Sequence, residues 1–292
     1  MTTSHKYRSG TMFGIEKAGA AEETLPPVRI GAVSYLNTKP LVYDLERLAP
    51  WARLVLDVPS RLADGLAAGR LDVALIPSVA YVTGTRYQVV SDACIACRGP
   101  VWSVRLLSRV PMRQIGVLAL DEGSRTSVVL VQLLLWRRFG LRPRLIPLPL
   151  GSAPQDVTAD AVLVIGDRAI HESNDGFHEV WDLGEEWWEE TGLPFVFAMW
   201  VARPGLVAGP VAQALSAARD AGVAALPAIA LQEAPRLNVP WEACLRYLRD
   251  HLHFYMGSEE RRGLDLFFRW AAELRLLEAP VGVNSSLSRL AT

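Results

Sequence analysis

The sequence has few cysteines, almost no net charge and no long hydrophobic run. Its three cysteines in 292 residues are too few for a disulfide framework, which favours a reducing compartment. A formal net charge of -1 gives no global field that would favour nucleic acid or an anionic membrane as a partner. No stretch reaches the roughly 20 apolar residues of a membrane span. Neither a P-loop nor a dinucleotide-binding glycine pattern occurs.

The first 27 residues also lack a continuous apolar core of signal-peptide length. They mix charged with small residues, so we expect residues 1–27 to be a disordered tail and the protein to be cytoplasmic. The chain as a whole is 50% hydrophobic and 21% charged, which is enough to bury a sizeable core. Its length fits one large domain or two smaller ones.

Strand and helix patterns alternate from residue 28 onward. The apolar run 28–33 predicts a buried strand that leads through a polar loop into a helix, with Asn37 and Thr38 at the cap position and Pro40 in the first turn. Similar alternation over 53–76 and 115–165 predicts a parallel sheet built from βαβ units. Open sheets of this kind bind small ligands at the carboxyl ends of their strands.

Two extended apolar runs, 101–108 and 195–202, are each followed by a proline and indicate passages between lobes. Residues 108–203 would then form a second lobe of usual domain size. Residues 28–107 plus 204–292 would form a discontinuous first lobe. We therefore predict an α/β fold of two lobes with a ligand cleft between them, as in periplasmic binding proteins, whose lobes close on a ligand.

Five separated segments carry a family resemblance. They are SYLNTKPL at 34–41, GPVWSV at 99–104, SRTSV at 124–128, VIGD at 164–167 and TGLPFVFAMW at 191–200. In this order they resemble segments of chorismate dehydratase, the enzyme that opens the futalosine route to menaquinone. One departure is Arg98, where the resemblance leads us to expect an acidic residue before Gly-Pro.

The resemblance implies a fold related to type II periplasmic binding proteins and the loss of water from chorismate to give 3-[(1-carboxyvinyl)oxy]benzoate. It implies a small-molecule substrate, with neither a metal nor an organic cofactor; it leaves the oligomeric state open. Two other functions stay open. One is a non-catalytic solute-binding protein for a small anionic ligand, and the other is the sister enzyme 1,4-dihydroxy-6-naphthoate synthase.

Polar side chains within these segments are candidates for the site. We expect Asn37 and Ser103 to be the catalytic contacts, although a plain cap and a strand serine are the alternatives. The start of the helix at 124–127 suits a carboxylate, because its hydroxyls and free N–H groups point the same way. The candidates for substrate binding are Tyr35, Thr38, Ser78, Ser124, Arg125, Thr126, Ser127 and Asp167. For these, helix capping, core packing or a solvated helix face is the alternative.

A protein base is hard to find in the sequence. Asp167, His171 and His178 are the nearest candidates, but no carboxylate or second base flanks them to adjust a catalytic pKa. We therefore hypothesise that the enolpyruvyl carboxylate of the substrate removes the C3 proton. Cys94 and Cys97 have the spacing of half a zinc site, but positions i and i+3 of a strand face opposite ways, so we expect two core thiols.

Overall fold

The computed structural model describes Met1, residues 27–84 and residues 86–277. The predicted tail at 1–27 thus falls outside the described residues, except for its two end residues. The described residues form eleven strands: β1 (Val28–Val33), β2 (Ala52–Asp57), β3 (Val73–Pro77), β4 (Gln88–Cys97), β5 (Val104–Ser108), β6 (Val117–Asp121), β7 (Arg144–Leu148), β8 (Ala161–Ile165), β9 (Glu179–Asp182), β10 (Phe195–Ala202) and β11 (His253–Tyr255).

The helices cover the sheets and dominate the part of the chain after β10. They are α1 (Leu45–Leu48), α2 (Pro59–Ala67), α3 (Ser78–Thr83), α4 (Thr126–Phe139), α5 (Asp167–His171), α6 (Leu183–Thr191), α7 (Ala208–Ala224), α8 (Leu226–Leu237), α9 (Trp241–Arg246) and α10 (Ser258–Glu273). A 3-10 helix spans Leu36–Val42, two single 3-10 turns span Met112–Gln114 and Pro154–Asp156, and a π-helical turn, Tyr247–His251, continues α9.

The strands form two mixed sheets, with orders β11-β4-β10-β3-β1-β2 and β7-β6-β8-β5-β9. β1 runs parallel to β2 and β3, and β6 runs parallel to β7 and β8. Parallel pairing is thereby confirmed for the alternating segments that predicted it, whereas β5 and β10 lie outside those segments and are antiparallel to both of their neighbours. An apolar run shows that a strand is buried but does not encode its direction, which is set by distant partners.

The chain passes between the sheets twice. It leaves the first sheet after β4 and returns to it after β9. Because β5 pairs in the second sheet and β10 in the first, we propose to place the lobe boundaries within 98–103 and 183–194 instead of at 107/108 and 203/204. The bounds of the two lobes remain a prediction.

One hydrophobic core extends through both sheets, and alternate residues of β8 show how. Ala161, Leu163 and Ile165 belong to this main core. Val162 and Val164 point to the opposite face of the second sheet and join a smaller cluster there. The strand β8 is therefore held by packing on both of its faces.

The segment after β1 folds differently from the prediction. The N–H of Thr38 donates to the carbonyl oxygen of Tyr35 at 3.1 Å, so a tight turn has already closed before the two polar residues. Asn37 and Thr38 therefore lie inside the 3-10 helix instead of capping an α-helix, and Pro40 lies inside it as well. This turn buries Asn37 at the end of β1.

Across the described ranges, no single helix has the length and apolar character needed to cross a membrane. α7 and α8 meet those two criteria only when they are taken together, and they are bent by 80° relative to each other.

Candidate functional site

A cleft lies between the two sheets and encloses about 490 Å³, including space open to solvent. Its wall combines apolar side chains with a few polar ones, as small-molecule sites usually do. The lining residues are Val33, Tyr35, Asn37, Pro59, Pro77, Ile95, Val101, Ser103, Val104, Ser124, Thr126, Ser127, Ile165, Gly166, Phe197 and Ala198.

Each of the five resembling segments contributes to this lining, although they are far apart in the sequence. The parallel strands β1, β3, β6 and β8 all end at the cleft, two from each sheet. Polar residues that follow these strands are thereby brought together, as expected for the carboxyl ends of strands in an open sheet. Of the predicted site residues, Tyr35, Asn37, Ser103, Ser124, Thr126 and Ser127 line the cleft.

Asn37 is held in place by the 3-10 helix and its surroundings. Its side chain is 9% exposed, and its Oδ1 accepts a hydrogen bond from the hydroxyl of Thr38 at 3.2 Å. On the outer side, α7 packs so tightly on this helix that Gly222 touches the backbone of Pro40. The amide of Asn37 is therefore presented by a buried, rigid turn.

Ser103 sits directly after a strained three-residue turn. Its N–H donates to the carbonyl oxygen of Val101 at 2.7 Å, and the central residue Trp102 has φ +64. A γ-turn with positive φ is rare and costs conformational energy, so it requires support from its surroundings. The carboxylate of Asp182 supplies it, accepting from the N–H groups of Val101 at 2.9 Å and Trp102 at 2.5 Å.

The first turn of α4 places three hydroxyl groups at the cleft. Ser124 Oγ accepts from the N–H of Ser127 at 3.1 Å, which satisfies one of the free donors of the helix start. Thr126 is 2% exposed, and its Oγ1 accepts from the N–H of Val79 at 3.3 Å. Hydroxyls and the positive end of the helix dipole thus meet at one side of the cleft.

A buried carboxylate under the cleft was not recognised from the sequence. Asp121 is 1% exposed and accepts from the N–H of Gly123 at 2.9 Å and of Ile165 at 3.1 Å. It also pairs with the guanidinium of Arg168. Asp121 therefore ties the ends of β6 and β8 together just where both reach the cleft. An aspartate that ends a buried strand is the only local signal for this role.

Four predicted site residues do not line the cleft. Thr38 and Ser78 are fully buried behind it, and Ser78 donates to the carbonyl oxygen of Val196 at 2.8 Å. Arg125 forms an ion pair with Asp64 at 2.6 Å. Asp167 accepts from the N–H of Leu36 at 2.9 Å and so joins α5 to the 3-10 helix. All four side chains thus contact residues that surround the cleft, and they do not themselves form its wall.

The cleft wall contains few ionisable side chains. Among the lining residues that the structure describes, only Tyr35 titrates, and burial raises its pKa to about 12. Burial also raises the pKa of the nearby Asp167 to about 6, although the N–H of Leu36 acts against this shift. His171 and His178 are exposed and lie outside the lining. The wall therefore meets a ligand with neutral donors and acceptors.

Two other sequence features belong to the packing of the first sheet. Cys94 and Cys97 are fully buried in β4, and burial raises the pKa of both thiols, as expected for core residues. Arg98, the departure from the family pattern, pairs with the buried Glu260 of α10 at 2.8 Å. Within the described residues, no group of three or more His, Cys, Asp or Glu side chains is placed to hold a metal ion.

The fold is shared with solved structures of other proteins. Protein AF1704 from Archaeoglobus fulgidus superposes with a TM-score of 0.72, at 15% identity, over 88% of this chain and 100% of that one. The alkanesulfonate-binding protein SsuA from Xanthomonas axonopodis pv. citri, solved with MOPS, gives 0.63 at 18% identity over 89% and 96% of the two chains. The predicted two-lobed, periplasmic-binding-protein-like α/β fold is thereby confirmed.

Sequence comparison identifies the family. The model of the menaquinone biosynthesis family matches residues 28–273. The chorismate dehydratase of Thermus thermophilus is 32% identical, and the match covers 82% of this chain and 94% of that protein. Taken with the cleft, which is formed by the five segments that resemble this enzyme, these matches show that the chain belongs to the menaquinone biosynthesis family.

Proposed function

We propose that this protein is a chorismate dehydratase, a hydro-lyase that converts chorismate to 3-[(1-carboxyvinyl)oxy]benzoate for menaquinone biosynthesis. The observation that carries the proposal is the meeting of Asn37, Ser103 and the first turn of α4 in one cleft, although they come from three distant segments. The relative from Thermus thermophilus, which is named chorismate dehydratase and aligned over most of both chains, supports it.

The reaction is driven by the substrate, and the protein has only to lower its activation barrier. The C3–H and C4–O bonds break and the C3–C4 double bond forms. The proton lost from C3 and the hydroxyl group lost from C4 add up to one molecule of water. The ring becomes aromatic, so the thermodynamic drive lies in the substrate. As the proton leaves, negative charge spreads to the ring carboxylate through the C1–C2 double bond. The protein has to hold two carboxylates and the leaving hydroxyl group more strongly in the transition state than before it.

Asn37 and Ser103 are the groups that we assign to the leaving hydroxyl group. The amide N–H₂ of Asn37 and the hydroxyl of Ser103 are hydrogen-bond donors, and both are nearly buried at the cleft wall. Donors in a site that excludes water stabilise developing charge more strongly than they would in water. The two residues therefore assist departure of the hydroxyl group without being acids or bases themselves.

The first turn of α4 is our choice for a substrate carboxylate. It offers the hydroxyls of Ser124, Thr126 and Ser127 and the free N–H groups of a helix start. Arg125 lies in the same turn, but its guanidinium is engaged with Asp64. Binding through neutral dipoles is therefore favoured over direct pairing with this arginine. Tyr35 forms the wall beside the ring.

The base that takes the C3 proton is, in this proposal, the enolpyruvyl carboxylate of chorismate itself. The lining supports this view because its one ionisable side chain among the described residues, Tyr35, has a pKa raised to about 12 and stays neutral. Asp167→Asn and His171→Ala should then keep turnover within a few-fold of the wild type. Loss of turnover with intact chorismate binding in either variant would instead identify a protein base.

The two other candidate functions are less well supported. The structural matches to SsuA are below 25% identity and speak only for the fold. The sister enzyme, 1,4-dihydroxy-6-naphthoate synthase, would need a different substrate, whereas the curated relative aligned over most of this chain is named for the chorismate reaction.

Proton NMR of chorismate mixed with the purified protein, without metal or nucleotide, tests the proposal. We expect the signals of a 1,3-disubstituted benzene ring with the vinyl ether intact. Ser103→Ala should lower kcat by about 10²-fold or more. Its control is Ser91→Ala, which removes the hydroxyl of another buried serine, on the far part of β4, and should leave kcat unchanged. Tight binding of unchanged chorismate by the wild type would overturn the assignment in favour of solute binding.

We also propose that the protein acts in the cytoplasm. The support is that Cys94, Cys97 and Cys244 are all free and buried, as suits a reducing compartment. Fractionation of cells that produce the full chain tests this, and recovery in the periplasmic fraction would contradict it.

A further inference from the structure

A buried tyrosine behind the cleft has a hydroxyl group without a partner. Tyr247 is 1% exposed, and its Oη forms no hydrogen bond with any residue that the structure describes. A buried hydroxyl group without a hydrogen bond lowers the free energy of unfolding, and a phenylalanine of the same shape would avoid this loss. A group of this kind in a native core calls for an explanation, and a role at the neighbouring site supplies one.

Tyr247 begins the π-helical turn Tyr247–His251, and this turn holds the segment that carries Ser103. The rings of Tyr247 and His251 lie 5.9 Å and 5.7 Å from the ring of Trp102. His251 Nδ1 also donates to the carbonyl oxygen of Pro100 at 3.1 Å. The turn thus packs against the strained residue Trp102, which directly precedes Ser103.

The hydroxyl of Tyr247 faces the two residues assigned to the leaving group. Burial raises the pKa of this phenol, while the side chains of Ser103 and Asn37 act on it in the opposite direction, as hydrogen-bonding neighbours do. Neither of them completes a hydrogen bond with it. Hydrogen bonds of catalytic groups are often long without substrate and shorten when the complex forms.

We infer that Tyr247 is a positioning residue of the proposed dehydration, whose hydroxyl group hydrogen-bonds to Ser103 and Asn37 and fixes the orientation in which they meet the substrate hydroxyl. This inference rests on the proposed function. Tyr247 does not line the cleft, so it acts through its two neighbours and not on chorismate. The ligand completes the arrangement: by engaging Ser103 and Asn37 it brings them within bonding distance of the phenol.

Tyr247→Phe tests the inference because it removes only the hydroxyl group. We expect kcat for chorismate to fall on the order of 10- to 100-fold, as misplacement of catalytic groups does, with KM within about two-fold of the wild type. The melting temperature should stay the same or rise, since an unsatisfied buried group has been removed. The control is Tyr81→Phe, which deletes the hydroxyl of a half-buried tyrosine on α3 and should change neither parameter.

A double-mutant cycle separates positioning from a purely structural role. If Tyr247 acts through Ser103 and Asn37, Tyr247→Phe should slow the Ser103→Ala variant less than it slows the wild type, because only the contribution through Asn37 is left to lose. Unchanged kcat in Tyr247→Phe, or effects of the two substitutions that multiply fully, would overturn the inference. Because both tests require a wild type that turns chorismate over, failure of the proposed function shows first, as an inactive wild type, and is distinct from either result.

Discussion

Gly222 on α7 contacts Pro40 in the 3-10 helix so closely that a methyl group at Gly222 would lie 2.0 Å from the carbonyl oxygen of Pro40. The contact is between two backbones, and neither can move aside as a side chain could. Since the same 3-10 helix presents Asn37 to the cleft, this glycine determines where a proposed catalytic group stands, although it is distant from the substrate.

Gly222→Ala should therefore destabilise the protein by about 1–3 kcal/mol, the usual range for an overpacked contact. Urea unfolding of the folded variant measures this free energy. Gly209→Ala is the control on the same helix, because a methyl group there would meet nothing within 4 Å. Equal stability changes in the two variants would show that the close approach to Pro40 has no energetic consequence.

Asp167 should make the stability of the protein depend on pH. Its burial raises the pKa to about 6 in the folded state, so the folded protein holds this proton more tightly than the unfolded chain does. Unfolding then releases a proton and becomes easier as the pH rises. Between about pH 4 and about pH 6, the free energy of unfolding of the wild type should fall by up to about 3 kcal/mol relative to Asp167→Asn.

Urea unfolding of both proteins across this pH range checks the prediction. The asparagine variant retains an oxygen that can accept from the N–H of Leu36, so the bond seen at Asp167 is preserved. A difference between wild type and variant that stays constant over the whole range would contradict the raised pKa.

Asp121 should be one of the most important single residues for stability. Asp121→Ala leaves the N–H groups of Gly123 and Ile165 without their acceptor and the guanidinium of Arg168 without its partner. Breaking a buried ion pair of this kind costs on the order of 3–5 kcal/mol. Arg47→Ala is the comparison, since its ion pair with Asp44 is exposed and is worth about 1 kcal/mol or less. Similar denaturation midpoints for the two variants would refute this ranking.

Gly166 should be sensitive to substitution because of Tyr35. A methyl group at Gly166 would lie 2.6 Å from a ring carbon of Tyr35, and the residue has φ +70 and ψ -153, a region open almost only to glycine. Gly166→Ala should destabilise the protein and raise KM for chorismate as the ring is pushed into the cleft. Part of the stability loss, about 1 kcal/mol, should disappear in a Tyr35→Ala background. An equal loss in both backgrounds would leave only backbone strain as the cause.

Much of the fold could be predicted because local patterns determine it. The apolar run 28–33 forms β1 with the predicted bounds, and the alternating patterns over 53–76 and 115–165 appear as the strands and helices from β2 to β3 and from β6 to β8. The direction of β10 could not be predicted, because it is fixed by pairing with β3 and β4 more than 90 residues away. The helix α8 was missed because Pro227 and Pro235 indicate a break, whereas Pro227 occupies the first turn of the helix, where proline is tolerated.

The site was predictable where a motif follows a strand, and not elsewhere. Tyr35, Asn37 and Ser124 come directly after strands, so their meeting at the cleft follows from topology. Arg125 looked free to bind a carboxylate, since nothing in its own segment reveals that Asp64, 61 residues earlier, would pair with it. Tyr247 lies in a helical stretch without any motif, so only the three-dimensional packing brings it behind Ser103.

The two donors assigned to the leaving group reach the cleft from different halves of the molecule. Asn37 follows a strand of the first sheet, and Ser103 precedes a strand of the second. A swing of one half against the other would part them without altering any group in either. Turnover would then depend on the angle between the two halves as well as on the groups in the cleft. A small molecule bound where the two halves are joined, away from chorismate, would be enough to inhibit the enzyme.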